Sequence, residues 1–149
     1  MYLGAGAPVT QLHYDARENL VCVVAGGYKT FELYDPLTAA ALMYLDNAAF
    51  GNASPVPLDP AQRAPEYPMA QYALPSRVTL RTGDCLYLPI YWLHAVLSAP
   101  ERTVSINHWR VPSRRKKDTF GRLLCGHTHR QASSRCGSST TNTKSTDEL

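Results

Sequence analysis

Two histidines and one aspartate of this chain have types and a spacing that could hold a metal. His13 and Asp15 stand two apart in His13-Tyr14-Asp15, and His94 closes the run Leu88-Pro89-Ile90-Tyr91-Trp92-Leu93-His94. On an extended strand, side chains at i and i+2 leave the same face with Cα atoms about 6.6 Å apart, so an imidazole and a carboxylate can converge on one point. A second imidazole arriving from a distant strand completes two nitrogens and one oxygen on one side of a metal. That is the facial arrangement used by non-haem Fe(II) sites, with coordination positions left open. Taken alone the pair is a common chance occurrence. The alternative is that His13 caps a turn and His94 is a buried, hydrogen-bonded histidine. Tyr14, between the two, must face the other way and reads as a wall or sheet residue rather than a catalyst.

The elements that must position these residues read as short strands. Val9 to His13 is expected to be one, and Glu18 to Val24 a second, rich in β-branched residues. Ala25-Gly26-Gly27 supplies a turn, because glycine tolerates positive φ. Tyr28 to Tyr34 then alternates as a half-buried strand does, and the resulting hairpin ends at Asp35-Pro36. Good helix formers between Leu37 and Leu45 predict a short helix. From Asn47 to Ala73 the chain carries Pro55, Pro57, Pro60, Pro65 and Pro68, which exclude a regular central element and suggest a rim over a site. Strands are expected again at Ser76 to Leu80, Cys85 to Pro89, His94 to Ser98 and Thr103 to Val111, with turns at Thr82-Gly83-Asp84 and at Ala99 to Arg102. Seven or eight short strands at regular spacing predict an all-β antiparallel architecture, a jelly roll (double-stranded β-helix) of cupin type. Residues 1–112 form its core. Because the ligand segment starts so soon after Met1, N-terminal elements of the domain are expected to be missing from this chain. Beyond Pro112, residues 113–149 read as a basic linker (Arg114-Arg115-Lys116-Lys117) and a Ser/Thr/Asn-rich tail, expected to be disordered.

Composition sets the outer limits. A chain of 149 residues, 44% hydrophobic, fits one domain with a real core. Its formal charge of +3 is modest and partly local to residues 110–117, and that basic segment is the feature that keeps a nucleic-acid partner among the alternatives. No apolar run approaches the roughly 18 residues of a membrane span, and Met1-Tyr2-Leu3-Gly4 lacks the make-up of a signal peptide, so a cytoplasmic or nuclear location is the default. The ending Thr146-Asp147-Glu148-Leu149 lacks the first basic residue of an ER-retention signal, and that compartment would require a signal peptide upstream. Of the 4 cysteines, Cys22 and Cys85 lie in apolar strand-like runs and read as small buried thiols, with no disulfide expected. Cys125, His127, His129 and Cys136 could form a zinc site, though their spacing is not a standard one.

The flanking residues add a resemblance. Thr10-Gln11-Leu12-His13-Tyr14-Asp15, with Glu18-Asn19-Leu20 and Gly27-Tyr28-Lys29, resembles the first half of the JmjC/cupin-like 2-oxoglutarate oxygenase core. Gly83 to Pro89, Tyr91-Trp92-Leu93-His94 and Ser105-Ile106-Asn107-His108-Trp109 resemble its second half, in the same order. The likeness covers residues 8 to 112 and is strongest to the small JmjC protein hydroxylases, the branch that includes factor inhibiting HIF. It implies Fe(II) held by His13, Asp15 and His94, and 2-oxoglutarate as cosubstrate. Lys29 would pair with the distal carboxylate of the cosubstrate, and Thr10, Asn19 and Asn107 would hydrogen-bond it. The turn before Lys29 is one residue longer than is common in that family. A one-residue slip would turn Lys29 to the outer face unless the glycines absorb it as a bulge. Trp92 and Trp109 are expected to pack in the core. The activity implied is hydroxylation of a protein side chain with O₂, producing succinate and CO₂. Histone demethylation, tRNA modification and a non-catalytic cupin-like binding domain or fragment are the alternatives.

Overall fold

The computed structural model describes residues 2–4, 7–45, 51–63 and 65–111. Residues 113–149, with the expected disorder and the Cys125, His127, His129 and Cys136 cluster, lie outside the described residues. Among the described residues seven strands build two antiparallel sheets: β1 (Tyr2–Gly4), β2 (Glu18–Gly26), β3 (Tyr28–Tyr34), β4 (Ser76–Arg81), β5 (Cys85–Leu88), β6 (Leu93–Ser98) and β7 (Thr103–Arg110). Sheet A runs β1-β7-β2-β5 and sheet B runs β4-β3-β6. This is the mainly β, cupin-like jelly roll that the strand pattern predicts.

Alternation decides what lies between the sheets. Val21 and Val23 of β2 and Leu88 of β5 face Phe31 and Leu33 of β3 and Leu80 of β4, closing one end of the sandwich in a buried cluster. Each such side chain contributes about 1.5–3 kcal/mol of apolar transfer. Sheet B is covered on its other face as well. There Tyr34, Leu93 and Ala95 pack against Ala39 and Met43 of the helical segment and against Val56, Ala70 and Ala73 of the proline-rich connection. The helix α1 (Pro36–Leu42) is short. It is started by Asp35, whose carboxylate accepts from the Leu37 and Thr38 amides, and by proline at its first position. Among its described residues, the connection after it holds two short 3₁₀ turns, at Pro60–Gln62 and Pro68–Tyr72. Its buried Arg63 donates to the carbonyls of Pro57 and Leu58, which ties the connection to itself. Sheet A has no such cover among the described residues. Its outer face exposes Leu20 and Val24 of β2, Tyr87 of β5 and Ile106 of β7.

Three expectations are corrected. Val9 to His13 is not a regular strand; it meets β6 only through isolated bridges at Val9 with Leu97 and at His13 with His94. Residues 2–4 lie before the first strand that the sequence predicts, yet they form β1 by pairing with Thr103 to Ser105 of β7. Cys22 and Cys85 are not buried thiols. They are directly opposed in the β2–β5 register, with Cα atoms 4.1 Å apart, and form a disulfide on the outer face of sheet A.

The long turn before Lys29 is resolved by two local features. Val24 is an additional residue in the β2–β7 ladder, between Val23 opposite Ser105 and Ala25 opposite Val104. Gly26 then takes φ +88°, where a Cβ would sit 1.8 Å from the carbonyl oxygen of Arg102. Bulge and glycine together reset the facing of the chain, so β3 leaves the turn with Lys29, Phe31 and Leu33 on the inner face.

Candidate metal centre and cosubstrate cavity

His13 and His94 are held side by side by two backbone bonds, His13 N–H to His94 O (3.0 Å) and His94 N–H to His13 O (2.8 Å). Their ring centroids lie 4.4 Å apart. Asp15 follows two residues on, and one atom from each of His13, Asp15 and His94 falls within 4.8 Å of the others. The His94 Nε2 stands 3.7 Å from Asp15 Oδ2.

The second nitrogen of each ring fixes its chemistry. His13 Nδ1 lies 2.8 Å from the carbonyl of Gln11, and His94 Nδ1 lies 2.8 Å from the carbonyl of Trp92. A carbonyl only accepts, so Nδ1 must carry the proton in both rings. Each neutral imidazole then has its Nε2 lone pair free. A backbone carbonyl on the far nitrogen is the support that metal-binding histidines ordinarily have. Burial pushes the His94 pKa down. The hydrogen bond to Trp92 O and the charge of Asp15 oppose that shift, while His13 reinforces it. The net direction favours the neutral, metal-competent ring.

These three residues lie on the wall of a cavity of about 320 Å³ between the sheets. Thr10, Asn19, Lys29 and Asn107 line the same cavity, so the structure brings together all seven residues singled out in the sequence. Lys29 is buried and donates from Nζ to Ser98 Oγ at 2.8 Å, and burial lowers its pKa. No carboxylate is paired with it in an ion pair among the described residues. Asn19 is 3% exposed, and its Oδ1 is a buried side-chain acceptor with no partner among the described residues. Thr10 Oγ1 accepts from the Val96 amide at 2.8 Å and keeps its own hydroxyl proton to donate. A buried cation, an unpartnered amide oxygen and further polar side chains on one cavity, beside two nitrogens and a carboxylate, suit a divalent metal and a small anionic ligand.

Sequence reasoning missed Ser98 and misplaced a tryptophan. Ser98 is the β6 register partner of Lys29, a relation set by strand pairing and invisible in the local sequence. Trp109 is not core; it is 39% exposed and forms part of the cavity wall, whereas Trp92 does pack, partly buried, against the cluster between the sheets.

Comparison with known proteins places the chain in a family. The model of the cupin-like domain family matches residues 1–114, and the chain belongs to that family. Several of its relatives are named as JmjC proteins. A human protein named "Bifunctional peptidase and (3S)-lysyl hydroxylase JMJD7" is 34% identical over 126 residues, which covers 72% of this chain and 40% of the relative. The Drosophila melanogaster "Jumonji C domain-containing protein 5" is 37% identical over 106 residues, covering 70% of this chain and 26% of the relative. The Arabidopsis thaliana "Lysine-specific demethylase JMJ31" is 34% identical over 100 residues, covering 65% of this chain and 18% of the relative. The chain thus spans two-fifths or less of the length of these relatives. Among solved structures, Escherichia coli YcfD, described as a ribosomal oxygenase, aligns over 99% of this chain and 32% of its own, at 13% identity and a TM-score of 0.43. The resemblance to JmjC oxygenases read from the sequence is therefore borne out at the level of family.

Proposed function

We propose that this chain carries the catalytic core of an Fe(II)- and 2-oxoglutarate-dependent dioxygenase of the JmjC type that hydroxylates a protein side chain, with the core domain ending near residue 112. The observation that carries the reading is the pair of carbonyl-tethered imidazoles, whose free Nε2 atoms stand beside the Asp15 carboxylate on a cavity that also holds the buried Lys29.

His13, Asp15 and His94 would hold the metal. When bound, Fe(II) with 2-oxoglutarate supplies oxygen activation, and the overall reaction consumes one O₂ and gives succinate, CO₂ and the hydroxylated product. The protein's part is binding and orientation. Lys29 would meet the distal carboxylate of the cosubstrate, a charge-assisted bond that also relieves the cost of burying the ammonium. Ser98 would keep Lys29 Nζ in place, and Asn19, Thr10 and Asn107 would fix the plane of the ligand. Phe31, Val21 and Leu88 exclude water from the closed side of the cavity.

A protein substrate is favoured because relatives are named as a lysyl hydroxylase and a lysine-specific demethylase. Two related proteins carry the name tRNA wybutosine-synthesizing protein 4, so RNA belongs among the substrates tried. The test is succinate formation from 2-oxoglutarate with Fe(II), O₂ and ascorbate, with and without a lysine-containing peptide pool, followed by mass spectrometry for the gain of one oxygen atom. Succinate and an oxygenated peptide from the unaltered chain, both lost in His13→Ala, are expected. A folded preparation that neither binds Fe(II) nor turns over would leave a cupin-like binding domain as the function.

A further inference from the structure

We propose that Tyr91, clasped against Tyr14, is a positioning residue that fixes Asp15 relative to His94 at the metal centre. The inference rests on the metal-binding reading above and adds to it residues that are not ligands.

Asp15 is the least supported of the three. His13 is locked to His94 by two backbone bonds, but Asp15 lies two residues past that bridge, before the exposed bend of Ala16 and Arg17 and the start of β2 at Glu18. Its main chain is caught from the opposite segment. The Tyr91 amide donates to the Asp15 carbonyl at 3.0 Å, from the turn immediately before β6 and His94. Tyr14 is pinned in turn by Asn52: its amide donates to Asn52 O at 2.9 Å, and Asn52 Nδ2 donates to Tyr14 O at 2.7 Å. The two tyrosine rings close the arrangement edge to face, with centroids 5.7 Å apart and an interplanar angle of 66°.

The backbone at Tyr91 shows that the ring matters. Tyr91 has φ +66°, in the left-handed region that a residue with a Cβ rarely occupies. Glycine would adopt this conformation freely and could present the same amide to Asp15. A tyrosine is held there instead, and it adds over glycine a ring that meets Tyr14. Unfavourable backbone retained beside a candidate site is the kind of feature that neighbouring contacts must stabilise. Here the contact joins the residue between His13 and Asp15 to the residue three before His94, so both ligand segments move as one body.

The test measures Mn(II) binding to the full chain by electron paramagnetic resonance, without turnover, and the zero-field splitting of the bound ion as a record of ligand geometry. Variants are Tyr91→Gly, which relaxes the backbone but removes the ring; Tyr14→Leu, which removes the contact without touching the left-handed residue; and Tyr91→Phe, which keeps the contact. Tyr91→Gly and Tyr14→Leu are expected to weaken Mn(II) about tenfold and broaden the zero-field splitting, while Tyr91→Phe stays within about twofold of the unaltered chain. Circular dichroism and melting confirm folding, and if Tyr91→Gly does not fold, Tyr14→Leu decides alone. Unchanged affinity and spectrum in the folded variants overturn the clasp and leave the metal centre standing. Failure of the unaltered chain to bind Mn(II) overturns the metal centre and the clasp with it.

Discussion

Lys29 and Asn19 make opposite demands on the cavity with and without an anion in it. Burial disfavours the charged ammonium of Lys29, and the Asn19 Oδ1 lacks a donor, which costs on the order of 1–3 kcal/mol in a site closed to water. Lys29→Met is therefore expected to weaken 2-oxoglutarate about 10- to 100-fold by calorimetry in the presence of Mn(II), the loss of one charge-assisted bond. Because the folded pKa of Lys29 lies below its unfolded value, the folded state binds that proton less readily, and the ligand-free protein gains stability as pH rises through the window ending near the unfolded value. Lys29→Met should remove this rise, which melting curves at successive pH values would reveal. Asn19→Leu should raise the melting temperature of the ligand-free protein while lowering its affinity for 2-oxoglutarate. The ligand-type residues were legible in the sequence because an i, i+2 pair and one distant histidine are facts of residue type and spacing. Ser98 was not, since only the β3–β6 register puts it opposite Lys29. Nothing in the composition near Tyr91 announces its left-handed backbone.

The hairpin of β2 and β3 shows what an element must do to deliver a side chain to the right face. The bulge at Val24 and the left-handed Gly26 together absorb the longer turn, and the contact between Gly26 and the Arg102 carbonyl leaves no room for a methyl group. Gly26→Ala is expected to destabilise the fold by ~1–3 kcal/mol from backbone strain alone, with the clash in addition, seen as a lower midpoint in urea. The disulfide acts one strand away. It closes a loop of 63 residues between β2 and β5, and in the chain-entropy account its reduction costs about 4 kcal/mol, a fall in melting temperature on the order of 10 °C. Thiol titration before and after reduction, together with melting of Cys85→Ser, would check this. The cysteines were misread for a physical reason. In β2 both faces are apolar, Val21 and Val23 inward and Leu20 and Val24 outward, so the run carries no alternation to show which way Cys22 points. Strands β3 to β7 were legible from alternation and turn residues, and β2 from its β-branched apolar run. The three-residue β1 exists only through its pairing with β7, and the stretch around Val9 to His13 is shaped by bridges to β6 and to Ala53 rather than by its own propensity.

At the scale of the molecule, the proposed metal ligands come from β6 and from the segment before β2, so metal binding would be linked to folding. Mn(II) at about a hundred times its Kd should stabilise the chain by ~2.7 kcal/mol, reversed by EDTA and absent in His13→Ala, as thermal melting would record. The jelly-roll class was legible because the number and spacing of strands allow few other closures. The unequal cover of the two sheets was not, because it depends on how the proline-rich connection lies over sheet B. The disulfide on sheet A also bears on how the chemistry can be run. Ferrous iron in air must be kept reduced, and the usual thiol reagents do so while attacking disulfides through their thiolates. Ascorbate does not exchange with sulfur in that way. A preparation handled in a thiol buffer and one handled in ascorbate would therefore be two different molecules around the same proposed metal site, one with β5 stapled to β2 and one without, and their activities should be compared before either is taken as the protein's own.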